Sequence, residues 1–104
     1  MTRRFLKRGL SILGNELTSL RNIGKTLEAK LKSVGIMTAE ELIEIGSEEA
    51  YVRLKLRYPD TKSMCLVHMY AIEGAVCDTE YNQLPQDVKQ RLKIFCDNLI
   101  LIPL

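Results

Sequence analysis

Cys65 and His68 stand three residues apart, so a helix would place thiol and imidazole on one face. That pairing is half of a zinc site, to be completed by Cys77 and Cys96, or the start of a Cys–His nucleophile pair. His68 is the only histidine, however, and the sequence has no C-x2-C pair. No third residue that would polarise an imidazole is evident, and Cys65 sits among Met64, Leu66 and Val67. The phosphate-binding patterns G-x-x-x-x-G-K-[ST] and G-x-G-x-x-G are both missing. These residues are therefore expected to be structural. The chain is expected to be no enzyme, with no catalytic residue, metal, cofactor or small-molecule substrate.

Glu73 is a different matter. It interrupts an apolar run from Met64 to Cys77, and a carboxylate there is costly unless something pairs with it. Two readings stand: Glu73 lies near a helix N-terminus or an arginine and fixes helix register, or it anchors a partner. Gly74, followed by Ala75, would permit close helix contact in either case.

A third candidate is the stretch Leu17-x-x-Leu20-x-Asn22-Ile23-Gly24 and the helix expected after it, with Ala29 as its small packing residue. It resembles the helix-hairpin-helix motif of DNA-associated proteins. What that resemblance implies is phosphate binding by the unpaired amides at a helix N-terminus. Arg21, Asn22, Ile23, Gly24, Lys25, Thr26 and Lys30 are the nucleic-acid-binding candidates. Such contacts read backbone and not bases, and they weaken with salt. Asn22 stands where the motif has its first glycine. Asn tolerates a left-handed backbone, but its side chain can block a phosphate.

Helical punctuation predicts the elements that hold these residues. Residues 16–21 make about one turn, broken by Asn22-Ile23-Gly24, where both Asn22 and Gly24 suit positive φ. A helix follows over 25–33, with Leu27 and Leu31 on one face and Gly35 as its C′ residue. Thr38 and Glu41 predict a capping box for a helix that ends at Gly46. Ser47 is expected to cap the next helix, which runs to about Tyr58 before Pro59. A nearly all-apolar helix, led in by Thr61 or Ser63, spans 64–77 and is expected at the buried centre. Pro85 opens a last helix at a first-turn position, with a stripe of Val88, Leu92, Phe95/Cys96 and Leu99. Leu-x-x-Ile-Gly occurs at Leu20 and again at Leu42, so two helix–turn–helix units in tandem are expected, with Ile23 and Ile45 as wedges. The fold class is all-α: a compact bundle of about five helices with tandem helix-hairpin-helix-like units.

The 104 residues suffice for one domain. It is expected over 16–99, after a basic N-terminal arm at 1–15 and before an apolar tail at 100–104. Fifteen lysines and arginines against 13 acids leave +2, too little to argue for nucleic acid. The distribution is more informative. Arg3, Arg4, Lys7 and Arg8 put +4 in the first eight residues. Residues 20–33 carry +3, and residues 38–49 carry −5. One unit is basic and its sibling acidic, a polarity suited to head-to-tail self-association or to a mixed-charge partner. The arm could be a solvated segment or a basic amphipathic helix, or it could cover the apolar tail. Three widely spaced cysteines give no disulfide framework. With neither a signal peptide nor a membrane-spanning run expected, the cytoplasm is the expected location.

Several segments together resemble one family: Leu20-Arg21-Asn22-Ile23-Gly24; Val34-Gly35-Ile36-x-Thr38-x-x-x-Leu42; Gly46-x-x-x-Ala50-Tyr51; Tyr70-Ala71-Ile72-Glu73-Gly74-Ala75; and Leu84-Pro85 before a closing helix. In order and spacing, residues 17–98 resemble the C-terminal domain of the TfoX (Sxy) family of bacterial competence regulators. The resemblance implies a small all-α domain related to helix-hairpin-helix and SAM-like folds, without enzymatic activity. It also implies a role in regulating transcription of DNA-uptake genes. Larger family members carry a preceding α/β domain that has no counterpart in this sequence. They often show an aromatic pair or a tryptophan near the position of Asn82, and this sequence contains no tryptophan. Two functions are carried forward. The first is a non-catalytic regulatory module that contacts another protein, or a second copy of itself as a homodimer. The second is a weak, sequence-independent DNA-backbone binder acting through the first unit. No membrane partner is expected.

Overall fold

The computed structural model describes residues 15–60 and 64–99. The basic arm, apart from its last residue, and the apolar tail lie outside the described residues, as do Thr61 and Ser63. Five α-helices occur among these residues: α1 (Lys25–Ser33), α2 (Ala39–Ile45), α3 (Ser47–Arg57), α4 (Leu66–Cys77) and α5 (Gln86–Asp97). Among the described residues two single 3-10 turns accompany them, Leu17–Ser19 ahead of α1 and Tyr81–Gln83 between α4 and α5. No strand occurs among the described residues. The all-α class and the number of main helices are as predicted.

The ends of the helices follow local chemistry. Gly35, at φ +88°, closes α1. Its amide bonds the Lys32 carbonyl, the Ile36 amide bonds the Leu31 carbonyl, and Leu31 and Ile36 are both fully buried. This is a Schellman termination with its apolar clasp. The Thr38 hydroxyl accepts from the Glu41 amide at 3.1 Å and caps α2 as predicted. Glu41 reaches back one residue further than a capping box requires, accepting from the Met37 amide at 2.7 Å.

Local pattern also misled in places. The segment before Asn22 is a 3-10 turn of three residues and not a full helical turn. In the Asn22–Gly24 break only Asn22 takes positive φ, at +72°; Gly24 sits at −96°. Ser47 does not cap α3: that position is Gly46, and Ser47 is the first helical residue. The fourth helix starts at Leu66, after a fully buried Met64. Pro85 is the cap of α5, with Gln86 the first helical residue.

The core is continuous. Leu17, Leu20, Ile23, Leu31 and Leu42 join the first turn to α1 and α2, and Tyr51, Leu54, Met69, Ile72 and Leu92 join α3, α4 and α5. The fourth helix packs on α3, α5 and the Tyr81–Gln83 turn. It is central but not wholly enclosed, since Val67 is half-exposed and Cys77 is exposed. Ile23 is 5% exposed and points into the core, whereas Ile45 is only partly buried against it.

Candidate functional site

The Asn22 side chain turns into the fold and not outward toward a phosphate. Its Nδ2 donates to the carbonyls of Ala71 (3.3 Å) and Thr79 (3.0 Å), and its Oδ1 accepts from the Tyr81 amide at 3.3 Å. The amide thus fills both donors and one acceptor on α4 and the loop beyond it. Gly74 makes this approach possible. A Cβ at that position would fall inside van der Waals contact with the Thr79 carbonyl oxygen and the Asn22 Nδ2. Arg21 is also engaged, its Nε 3.2 Å from Asp78 and its Nη1 3.1 Å from Glu80. These two carboxylates, Glu80 foremost, raise its pKa further above an already high value.

Apart from Ile23, the remaining candidates of the first unit face outward or line a cleft. Ile23 is core. Gly24, Lys25 and Thr26 are exposed at the start of α1, where no side chain caps the first turn. Lys30 stands over the Tyr58 ring, 5.1 Å from its centroid, and Arg57 stands 5.0 Å from the same centroid. Lys25, Thr26 and Lys30 border a cleft of about 280 Å³ whose far wall is Val67, His68 and Ala71 of α4.

The cysteines and the histidine are dispersed. His68 Nδ1 accepts from the Cys65 amide at 3.1 Å and lies 3.4 Å from the Cys65 thiol. The ring therefore closes the N-terminus of α4. Burial lowers its pKa, and Lys30 and Lys55 lower it further. Cys77 is at the opposite end of the same helix, donating to Glu73 at 3.3 Å. Cys96 neighbours Tyr51, and burial pushes the ionisation of both groups upward. No group of three or more potential metal ligands occurs among the described residues.

Glu73 organises the other end of the molecule. It is only 12% exposed. Its Oε1 accepts from the Ser47 hydroxyl at 2.5 Å, and its Oε2 lies 3.5 Å from Arg91 Nη2. Arg91 Nη1 in turn bonds Glu48 Oε2 at 3.0 Å. One carboxylate thereby ties the first turn of α3 to α4 and α5. A helix N-terminus and an arginine thus both face Glu73.

These residues lie in a groove of about 590 Å³ between the α2–α3 junction, α4 and α5. Its apolar lining comes from Ile43, Ile45, Val52, Val76 and Phe95. Glu44, Glu48, Glu49 and Glu73 supply carboxylates against the single guanidinium of Arg91, a net −3. The sequence showed the acidic run at 40–49. The groove itself is not legible there, because three segments far apart in sequence build it.

The model of the TfoX C-terminal domain matches residues 13–95. The chain belongs to the TfoX C-terminal domain family. Two solved structures, both from Listeria monocytogenes, are similar to it. An uncharacterized protein in a triclinic crystal form is 41% identical, with a TM-score of 0.70, over 78% of this chain and 88% of that one. A protein of unknown function in a tetragonal form is 38% identical, with a TM-score of 0.73, over 78% and 96%. No curated protein matches the chain. Among the described residues of this TfoX C-terminal domain, no helix is long and apolar enough to cross a membrane.

Proposed function

We propose that this TfoX C-terminal domain is a non-catalytic, cytoplasmic regulatory module that acts through protein–protein contacts, in the transcriptional control that its family resemblance implies. The observation that carries the reading is the groove at the α2–α3 junction. It combines apolar side chains with a net acidic rim, the composition that gives contact area together with selectivity for a basic partner. The positions that would hold a reacting substrate offer no comparable support. The Cys65–His68 pair is spent on capping a helix, and Glu73 on joining three helices.

A second reading retains the DNA backbone as ligand at the start of α1. It is favoured by Lys25 and Thr26, which are exposed beside a first turn with no side-chain cap. It is weakened by Arg21 and Asn22, whose polar groups are engaged within the fold. Titration with duplex DNA at increasing salt separates the two readings. The module reading expects negligible affinity at ~50 mM salt and no effect of Lys25→Glu. Affinity that falls steeply with salt and is lost in Lys25→Glu would favour DNA.

A further inference from the structure

We infer that residues 3–10 of this same chain bind in the groove between the α2–α3 junction, α4 and α5, and so compete with any partner for it. The inference rests on the groove being a recognition surface, and it names the first occupant.

Three observations carry it. The first is charge. Arg3, Arg4, Lys7 and Arg8 supply +4 with no acid among the first eight residues. The lining residues of the groove sum to −3; Glu48 and Glu73 share Arg91, Glu49 pairs with Arg53 just outside the lining, and Glu44 has no ion-pair partner among the described residues. The second is apolar content. Phe5, Leu6 and Leu10 alternate with those cations, matching a surface that sets Val52, Val76 and Phe95 beside its carboxylates. A purely electrostatic site would not need the apolar side chains; a segment carrying both kinds satisfies both.

The third is reach. Asn15 is fastened to the start of α2: its carbonyl accepts from the Ala39 amide at 2.9 Å, and its Oδ1 accepts from the Glu40 amide at 3.0 Å. The groove begins at the other end of that seven-residue helix, at Ile43 to Gly46, about 10 Å away. Six residues lie between Arg8 and Asn15, and the seven Cα–Cα steps can span up to about 25 Å. A tether this short keeps the basic segment at an effective concentration in the millimolar range beside the groove. Even weak contacts then suffice for occupancy.

The test is zero-length carbodiimide cross-linking of the full chain, with peptide mapping, on a mixture of isotopically light and heavy protein. The inference expects Lys7 joined to Glu44, Glu48 or Glu49 within single chains. The yield should drop severalfold in Arg4→Glu/Arg8→Glu, which keeps the reacting lysine, and in ~0.5 M salt. Side-chain resonances of Val52 and Val76 should move in that double variant while those of the opposite cleft, such as Val67, stay. Light–heavy cross-links alone would assign the groove to a second copy and overturn the inference. So would Lys7 joined only to Glu16, or groove resonances unmoved by the charge reversal. Failure here is separable from failure of the module reading. A partner captured equally by wild type and by Arg4→Glu/Arg8→Glu, with no Lys7 cross-link to the groove, refutes self-occupancy and leaves the module intact.

Discussion

Asn22 and Glu73 are polar residues placed where the chain needs a specific partner, and each can be tested by changes of a few atoms. Asn22 combines a positive φ with two donated hydrogen bonds and one accepted. Asn22→Gly keeps the backbone and loses the bonds; Asn22→Ala loses both. Either should destabilise by roughly 1–3 kcal/mol, with alanine the worse. Asn22→Asp should exceed glycine, because a carboxylate would face the carbonyls of Ala71 and Thr79 with no proton to offer. Chemical denaturation of the series checks the order, and a mild aspartate effect would mean that the amide does not clasp α4. Glu73→Ala leaves the Ser47 hydroxyl, in a residue only 6% exposed, without its acceptor. A melting temperature lower by several degrees is expected, about 1–2 kcal/mol at this chain length. Glu73→Gln should recover part of it by still accepting from Ser47. The need for a partner at Glu73 was legible from its apolar surroundings. The inward turn of Asn22 was not, since its acceptors and donor lie 49 to 59 residues away in sequence.

At the scale of elements, the helix ends decide the architecture. The junction of α2 and α3 is the single residue Gly46, at φ +89° and ψ 159°. That region is essentially restricted to glycine. Nothing lies near where a Cβ would go, so Gly46→Ala isolates backbone strain and should destabilise by about 1–3 kcal/mol. A neutral outcome in thermal melts would contradict the strain. The start of α4 gives a pH prediction. His68 must be neutral at Nδ1 to accept from the Cys65 amide, and burial and two lysines lower its pKa. The folded state therefore binds fewer protons than the unfolded one. The stability involved is present above the unfolded pKa of about 6.5 and is lost as pH falls below it. Melting temperatures from pH 8 to 5 should fall more for wild type than for His68→Gln; parallel curves would remove the histidine from the cap. Turn positions at Gly35, Thr38 and Gly46 were readable because their chemistry is local. The α3 cap was misread because the Ser47 hydroxyl prefers a carboxylate 26 residues away over its own helix.

For the whole molecule, the polarity of charge seen in the sequence becomes a division of surfaces. The basic unit spends Arg21 on Asp78 and Glu80. The acidic unit forms the edge of a groove that α4 and α5 complete. That groove could not be read from the chain, since the acids at 40–49 acquire an apolar neighbourhood only when Val52, Val76 and Phe95 are folded beside them. In the proposed function this surface, and not the start of α1, recognises the partner. The most direct measurement is affinity capture from cell extract after nuclease treatment, with wild type, Glu44→Lys/Glu49→Lys and Lys25→Glu compared at equal fold stability. The account expects a protein retained by wild type and Lys25→Glu and lost with the groove variant. Capture that vanishes with nuclease or in Lys25→Glu, while the groove variant behaves as wild type, would contradict it.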